Sequence, residues 1–167
     1  MNSLATLKEI TIRTELKEGD IGYVTYLHGI LYKREYDYGI GFESYVAAGL
    51  HEFYQHYDPL KDRAWICEHH DTIVGFLLLM HREHHVAQLR YFILKPEYRG
   101  IGLGRILLTL YMEFLKQCYY SSSYLWTTSE LAAAAHLYKQ FGFRLTREKA
   151  STVFGKPLME QRYDLIL

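Results

Sequence analysis

Cysteine occurs only twice in the 167 residues and proline three times, and neither sign of charge is in excess, with 19 Lys plus Arg against 19 Asp plus Glu. Each scarcity excludes something. Cys67 and Cys118 lie in apolar segments without metal-ligand spacing, so they read as buried thiols in a reducing compartment rather than as a disulfide framework. Balanced charge gives no electrostatic case for nucleic acid or an anionic membrane as the main partner. The longest strongly apolar run, IVGFLLLM from Ile73 to Met80, is far too short to span a bilayer. The opening MNSLATLKEITIR lacks the apolar core of a signal peptide. These features predict a cytoplasmic protein. No repeat and no low-complexity linker divides the chain, and residues 1–167 read as a single domain. With 49% apolar and 23% charged residues, a chain of this length buries roughly 70% of its unfolded surface without staples.

Periodicity gives the elements. Ile10 and Ile12 alternate with polar residues and predict a first strand. Asp20 is placed to cap a helix carrying Ile21, Val24, Leu27, His28 and Leu31 on one face. A second helix is expected over about Phe42–Tyr57, with Phe42, Tyr45, Val46, Gly49 and Phe53 as its stripe. Strands are expected at about Ala64–His69, Thr72–His81 and Val86–Leu94, with turns at His70-Asp71 and His81–His85. After a glycine-rich stretch, Ile106, Leu107, Leu110, Phe114 and Cys118 keep a helical period. SYLWT, Ser123–Thr127, is strand-like. Ser129 is placed to cap an alanine-rich helix that stops at Gly142, and closing strands follow at Phe143–Arg147 and Gln161–Leu167. This order predicts an α/β, or layered α+β, protein with helices on a central sheet.

The chemistry concentrates at Arg99-Gly100-Ile101-Gly102-Leu103-Gly104-Arg105, between a strand and a helix. Glycine allows another molecule to approach the backbone closely. The first amides of a helix have no internal partner and, with the helix dipole, favour an anion such as a phosphate. Arg99 and Arg105 add formal charge. No Gly-Lys-Ser/Thr follows, which excludes a P-loop, and the spacing does not fit a dinucleotide GxGxxG. The pattern that fits is Arg/Gln-x-x-Gly-x-Gly/Ala.

With KPEYRGIGLGRILL after a strand and AAAAHLYKQFGF about thirty residues on, the chain resembles the GNAT superfamily of acyl-CoA-dependent N-acetyltransferases. HGILYKREYDYGIGFESYV and LWTTSELAAAAHLYKQFGF are especially similar to the GNAT domains that some bacterial proteins fuse to a MarR-type winged helix. Here the first strand is expected almost at Met1, with no DNA-binding domain before it. The resemblance implies a mixed, mostly antiparallel sheet with helices on both faces. It also implies direct acetyl transfer from acetyl-CoA, the cosubstrate, to a primary amine of a small molecule or peptide. The pyrophosphate would rest on the amides from Arg99 to Arg105. The pantetheine arm would lie between splayed strands, bonded to Phe92, Ile93 and Leu94, with a bulge opening that strand. Tyr138 matches the tyrosine that acts as general acid toward the leaving thiolate. Many members carry Asn seven residues earlier. Leu131 stands there in this chain, and Thr128 or Ser129 could supply the polar contact instead.

His28, Tyr32 and Glu35 share a helical face. The resemblance puts that helix beside the acceptor, where Glu35 with His28 would bind and deprotonate the amine; the plain alternative is a packing helix with a buried histidine and a solvated glutamate. Trp126, Phe42 and Tyr36 to Tyr38 either line an aromatic acceptor pocket or simply pack. HREHH, His81–His85, reads as a solvated turn, and no metal site is expected. The competing function is a non-catalytic acyl-CoA sensor or partner module. The acceptor's identity and the oligomeric state, a homodimer included, stay open.

Overall fold

The computed structural model describes residues 6–167; the first five residues, part of the amino-terminal stretch weighed above as a signal peptide, lie outside it. The elements follow the expected order: β1 (Thr11–Arg13), α1 (Asp20–Tyr36), α2 (Ile40–Gln55), β2 (Arg63–His69), β3 (Thr72–Arg82), β4 (Val86–Leu94), α3 (Leu103–Gln117), β5 (Ser122–Thr128), α4 (Ala132–Gln140), β6 (Arg144–Ser151) and β7 (Leu158–Ile166). Short 3-10 turns stand at Leu7–Glu9 and Pro96–Tyr98. The strands form one seven-stranded sheet in the order β1-β2-β3-β4-β5-β7-β6. Every pairing is antiparallel except β4 with β5.

Both sheet faces are covered, which explains why the β3 run IVGFLLLM is apolar without alternation. Leu77, Leu79, Leu89 and Leu125 pack on one face against Leu107, Tyr111 and Leu115 of α3 and Ala135 and Tyr138 of α4. Ile66, Phe76, Leu78 and Met80 pack on the other against Val24, Leu27 and Leu31 of α1 and Val46, Leu50 and Phe53 of α2. Cys67 is fully buried in the first cluster, and burial pushes its thiol up to about 12. Cys118 is only part-buried.

Several expectations need correction. Gly19, not Asp20, caps α1. Asp20 is the first helical residue, and its carboxylate turns back to accept Arg13 Nη1 and Nη2 at 2.7 and 2.8 Å and the Lys17 amide at 2.7 Å. Burial works against that charge, but these donors outweigh it and hold Asp20 below the usual carboxylate range. Ser129 caps nothing either: its N–H donates to the Met159 carbonyl at 2.9 Å, and α4 begins only after Leu131. The inner face of α3 is turned from the expected stripe, because Leu103, Leu108, Tyr111 and Leu115 are buried while Ile106 is exposed. The β-branched Ile106 and the aromatic Tyr111 carry comparable apolar weight in the sequence, so the period alone does not set the rotation. The turn at His70-Asp71 is as expected, with positive φ at both residues. The second turn is shorter than His81–His85: β3 runs on through Arg82, and His81 bonds the Asp62 carboxylate through its amide at 2.6 Å and Nδ1 at 2.9 Å. Only residues 83–85 turn, His84 and His85 with positive φ.

β4 carries the main irregularity. Phe76 of β3 faces Ile93, but Leu78 faces Arg90, so one extra residue is inserted into β4 opposite Leu77. Tyr91 sits there at φ 55, a conformation that a bulky residue rarely adopts. Its ring lies over Gly49 of α2. A Cβ on Gly49 would overlap the Tyr91 hydroxyl and come within 2.8 Å of Arg90 Nη2, so Gly49 allows α2 to close on the bulge. That hydroxyl is buried without a hydrogen-bond partner among the described residues. Gly49→Ala should therefore cost about 1–3 kcal/mol by overpacking, lowering Tm by roughly 2–4 °C for each kcal/mol lost. Tyr91→Phe removes the orphaned hydroxyl and the worst of the overlap, leaving the flexible end of Arg90 to shift. The double variant should melt well above Gly49→Ala, and additive losses in calorimetry would contradict this packing.

Candidate functional site

The parallel pairing of β4 with β5 runs from Val86↔Ser122 to Leu89↔Leu125 and stops. Beyond it β5 continues with Trp126 to Thr128 and β4 with Arg90 to Leu94, so the two strands part at the bulge. The gap opens into two hollows. A groove of about 510 Å³ is lined by Phe92, Ile93, Leu94, Arg99, Gly100, Gly102, Gly104 and Arg105 on one side and by Leu131 to Ala134 and Leu137 on the other. A smaller cavity of about 120 Å³ lies under α1 and α2. Tyr32, Phe92 and Leu131 border both, so the two meet.

The groove presents bare donors. Among the described residues, the amides from Gly100 to Arg105 find no acceptor, and the first carbonyl bond of α3 is Ile106 N–H to Gly102. Gly102 caps that helix at φ 95, open backbone that favours glycine. The Lys95 amide donates to Val74 of β3, so by strand alternation the amides of Leu94 and Phe92 point away from β3 into the gap. The Leu94 carbonyl, on that same side, accepts Arg99 Nε at 3.0 Å. Ile101 and Leu103 belong to the same loop, but their side chains pack into the core.

The other expected residues are divided. Tyr138, on α4, borders the small cavity and is 5% exposed. Burial raises its pKa, and among the described residues its hydroxyl has no hydrogen-bond partner. Burial, and then the nearby Tyr138, also raises Tyr32. Thr128 borders the small cavity with its hydroxyl bonded to Tyr38 Oη at 2.8 Å, and Ser129 is exposed and borders neither hollow.

His28 and Glu35 share a helix but not a site. Glu35 lies on the groove, where Arg99 Nη1 and Nη2 donate to its two oxygens at 2.8 and 2.9 Å. The 64-residue separation of this pair hid it from the sequence. His28 borders the small cavity, 2% exposed, and stacks on Tyr32 at 5.8 Å. Its Nδ1 lies 2.8 Å from the Val24 carbonyl. A carbonyl only accepts, so Nδ1 carries the hydrogen and Nε2 keeps a lone pair. Tyr38, Phe42 and Trp126 border the same cavity, whereas Tyr36 borders the groove. Missed in the sequence were Arg90 and Glu160, the charged members of the cavity wall.

Comparison with known proteins decides the family. The model of the Acetyltransferase (GNAT) family matches residues 23–143. The chain belongs to the GNAT family. An uncharacterized N-acetyltransferase of Escherichia coli, YjgM, is 31% identical over 97 residues, 56% of this chain; the match spans 58% of that relative's length. Among solved structures, a ribosomal-protein-alanine N-acetyltransferase from Brucella melitensis superposes with TM-score 0.74 at 19% identity, over 94% of this chain and 99% of its own. A spermidine N-acetyltransferase from Vibrio cholerae in complex with CoA and spermine gives 0.69 at 22%, over 95% and 96%. A GNAT acetyltransferase from Elizabethkingia anophelis with acetyl-CoA bound gives 0.66 at 14%, over 95% and 99%. These distant likenesses establish the shared fold. No described helix of this GNAT chain is long and apolar enough to cross a membrane, and its described residues hold no cluster of three metal-ligating side chains.

Burial lowers His28 from an ordinary 6.5 to about 4. The unfolded chain therefore takes up this proton first, so the contribution to stability is complete above about pH 6.5 and is lost as pH falls toward 4. At about 1.36 kcal/mol per unit, the drop from 6.5 to about 4 amounts to roughly 3 kcal/mol. His28→Phe keeps the stacking and does not titrate. Its unfolding free energy should fall less than that of wild type between pH 7 and 4.5 in denaturant titrations; equal losses would contradict the buried neutral state.

Proposed function

We propose that this GNAT protein is an acetyl-CoA-dependent N-acetyltransferase acting on a primary amine of a small molecule or peptide, with residues 1–167 as one catalytic domain. The observation that carries the reading is the opening of β4 from β5. It brings a row of unpartnered amides and the hydroxyl of a largely buried tyrosine to the junction of a long groove and a small cavity. The groove fits acetyl-CoA. The amides from Gly100 to Arg105, with Arg105 and the start of α3, would hold the pyrophosphate. Phe92 and Leu94 would pair with the pantetheine amides as an added strand does. Acetyl-CoA supplies a thioester whose acyl carbon accepts an amine and whose thiolate departs.

The chain's own residues do the rest. A bulge-side amide of β4 would donate to the acetyl carbonyl oxygen. Tyr138, kept protonated by burial, would give its proton to the departing thiolate. Leu131 takes the position where the family resemblance implies Asn, so a contact made there would be apolar. Glu35 is better read as the anchor of Arg99 than as a base, since both carboxylate oxygens are engaged. His28 enters neutral and can accept a hydrogen bond from the amine at Nε2. Its low pKa makes it a poor store for the proton, which leaves through water. We also infer closer kinship with the GNAT domains joined to MarR-type regulators from the likeness of two segments, 28–46 and 125–143, both of which contribute to the wall of the small cavity. The V. cholerae relative's spermine complex supports an amine acceptor as a class.

The test is release of free thiol from acetyl-CoA against a panel of amines. Wild type should turn over with at least one of them. Tyr138→Phe should lower kcat by about 10²–10⁴ with acetyl-CoA affinity little changed. Wild-type turnover in the variant, with chemistry rate-limiting, would remove Tyr138 from the mechanism. No affinity for acetyl-CoA at all would remove the reading itself.

A further inference from the structure

We propose that the small cavity selects an amine carrying its own carboxylate, an amino-acid-like zwitterion, and that Arg90 reads the carboxylate. This rests on the acetyl-transfer reading and adds the acceptor class. The floor of the cavity is the sheet face beneath α1 and α2. Arg90 of β4, Trp126 and Thr128 of β5 and Glu160 of β7 all border it. Glu160 lies opposite Thr128 in the β5–β7 ladder, while Arg90 belongs to the strand on the other side of β5. Opposite charges thus flank the cavity, with the Trp126 strand between them.

Arg90 is under-compensated. Its side chain is 10% exposed, and Glu52, the carboxylate it reaches, stands 3.5 Å away. That carboxylate is already held by Arg82 at 2.8 Å, so two guanidiniums share one anion and the cavity-side one has the longer contact. The remaining partners of Arg90 are neutral: the Tyr45 hydroxyl at 3.2 Å, the Met80 sulfur at 3.9 Å, and the ring faces of Tyr91 and Tyr45 at 4.7 and 5.5 Å. Gln88 cannot compete for it, because its carbonyl accepts both Nε and Nη2 of Arg82. A buried guanidinium with free donors favours a carboxylate, bidentate where geometry allows. Across the floor, Glu160 is 16% exposed, and its cation, Lys149, lies 3.4 Å away and half in solvent. Glu160 stands two strands from Arg90, roughly 10 Å at sheet spacing, so it gives the far end of the cavity a negative character without meeting the α-ammonium of the same amino acid. Trp126, Tyr38, Phe42 and Phe154 supply an apolar wall for the side chain. The volume of about 120 Å³ is of the order that accepts a benzene-sized group, which suits a free amino acid. A polyamine would meet an uncompensated positive charge instead.

Acetylation is to be measured with matched pairs, leucine against 3-methylbutylamine and phenylalanine against phenethylamine, with spermidine alongside, all compared at equal free-base concentration. Wild-type kcat/KM should favour the amino acid of each pair by about tenfold to a hundredfold. Arg90→Met should bring that ratio near one, and Arg90→Lys should restore part of it. Calorimetric acetyl-CoA binding by each variant reports its folding. The inference is overturned if wild type prefers the decarboxylated amine or spermidine, or if Arg90→Met binds acetyl-CoA and keeps the ratio. Should no amine release thiol, the acetyl-transfer reading fails separately. The same pairs then serve as ligands in thermal shift with CoA present: Tm rising with the amino acid alone supports the inference, and the reverse order, or no shift with either, overturns it.

Discussion

The organisation of this molecule depends on one interrupted interaction, the parallel ladder between β4 and β5. It holds as far as Leu89↔Leu125 and then fails, because β4 carries an extra residue at Tyr91. A central strand that leaves its neighbour exposes backbone donors and acceptors in the middle of a protein, which is costly unless something satisfies them. Water or a strand-like ligand can do so, and a ligand does it with geometric selectivity. The helices follow from the same gap. α3 and α4 line one side of the opening, α1 and α2 roof the other, and the two hollows meet at Tyr32, Phe92 and Leu131.

The bulge is held from outside. Tyr91 keeps a left-handed backbone, and strain of this kind persists only where the surroundings over-determine it. Gly49 of α2, Arg90 and the edge of His28 at 5.8 Å provide those surroundings. The loop between β6 and β7 closes the far wall: the Gly39 amide donates to the Phe154 carbonyl at 2.9 Å, and Lys156 Nζ reaches the Tyr36 carbonyl at 2.8 Å and Glu130 at 2.6 Å. The small cavity is therefore assembled from segments far apart in the chain, while the groove's donor side is almost wholly local, from Phe92 to Arg105.

That difference explains what could be read from the sequence. The glycine loop, its helix and the Leu-Tyr-x-x-x-Gly-Phe segment are contiguous patterns, and the family could be named from them. The order of elements was also legible, since β4 carries its own alternation and the turns carry their own residues. Long-range pairing was not. Glu35 reads as a free carboxylate until Arg99 is placed beside it, and Ser129 reads as a cap until β7 claims its amide. Arg90 did leave a signal: in VAQLRYFIL, Gln88 and Arg90 occupy alternate positions of a central strand, where charge has no structural use. Glu160 left none, because β7 looks like an ordinary half-exposed strand until the sheet order brings it to the cavity.

The central claim is that the broken ladder of β4 is completed by the pantetheine arm and that the loop amides hold the pyrophosphate. Amide hydrogen exchange, followed residue by residue with and without CoA, tests it most directly. The account predicts that CoA slows exchange at Phe92 and Leu94 and across Gly100 to Arg105, while the amides of β2, far from the gap, stay unchanged. Binding of CoA with no slowing at Phe92, Leu94 or the loop would contradict it.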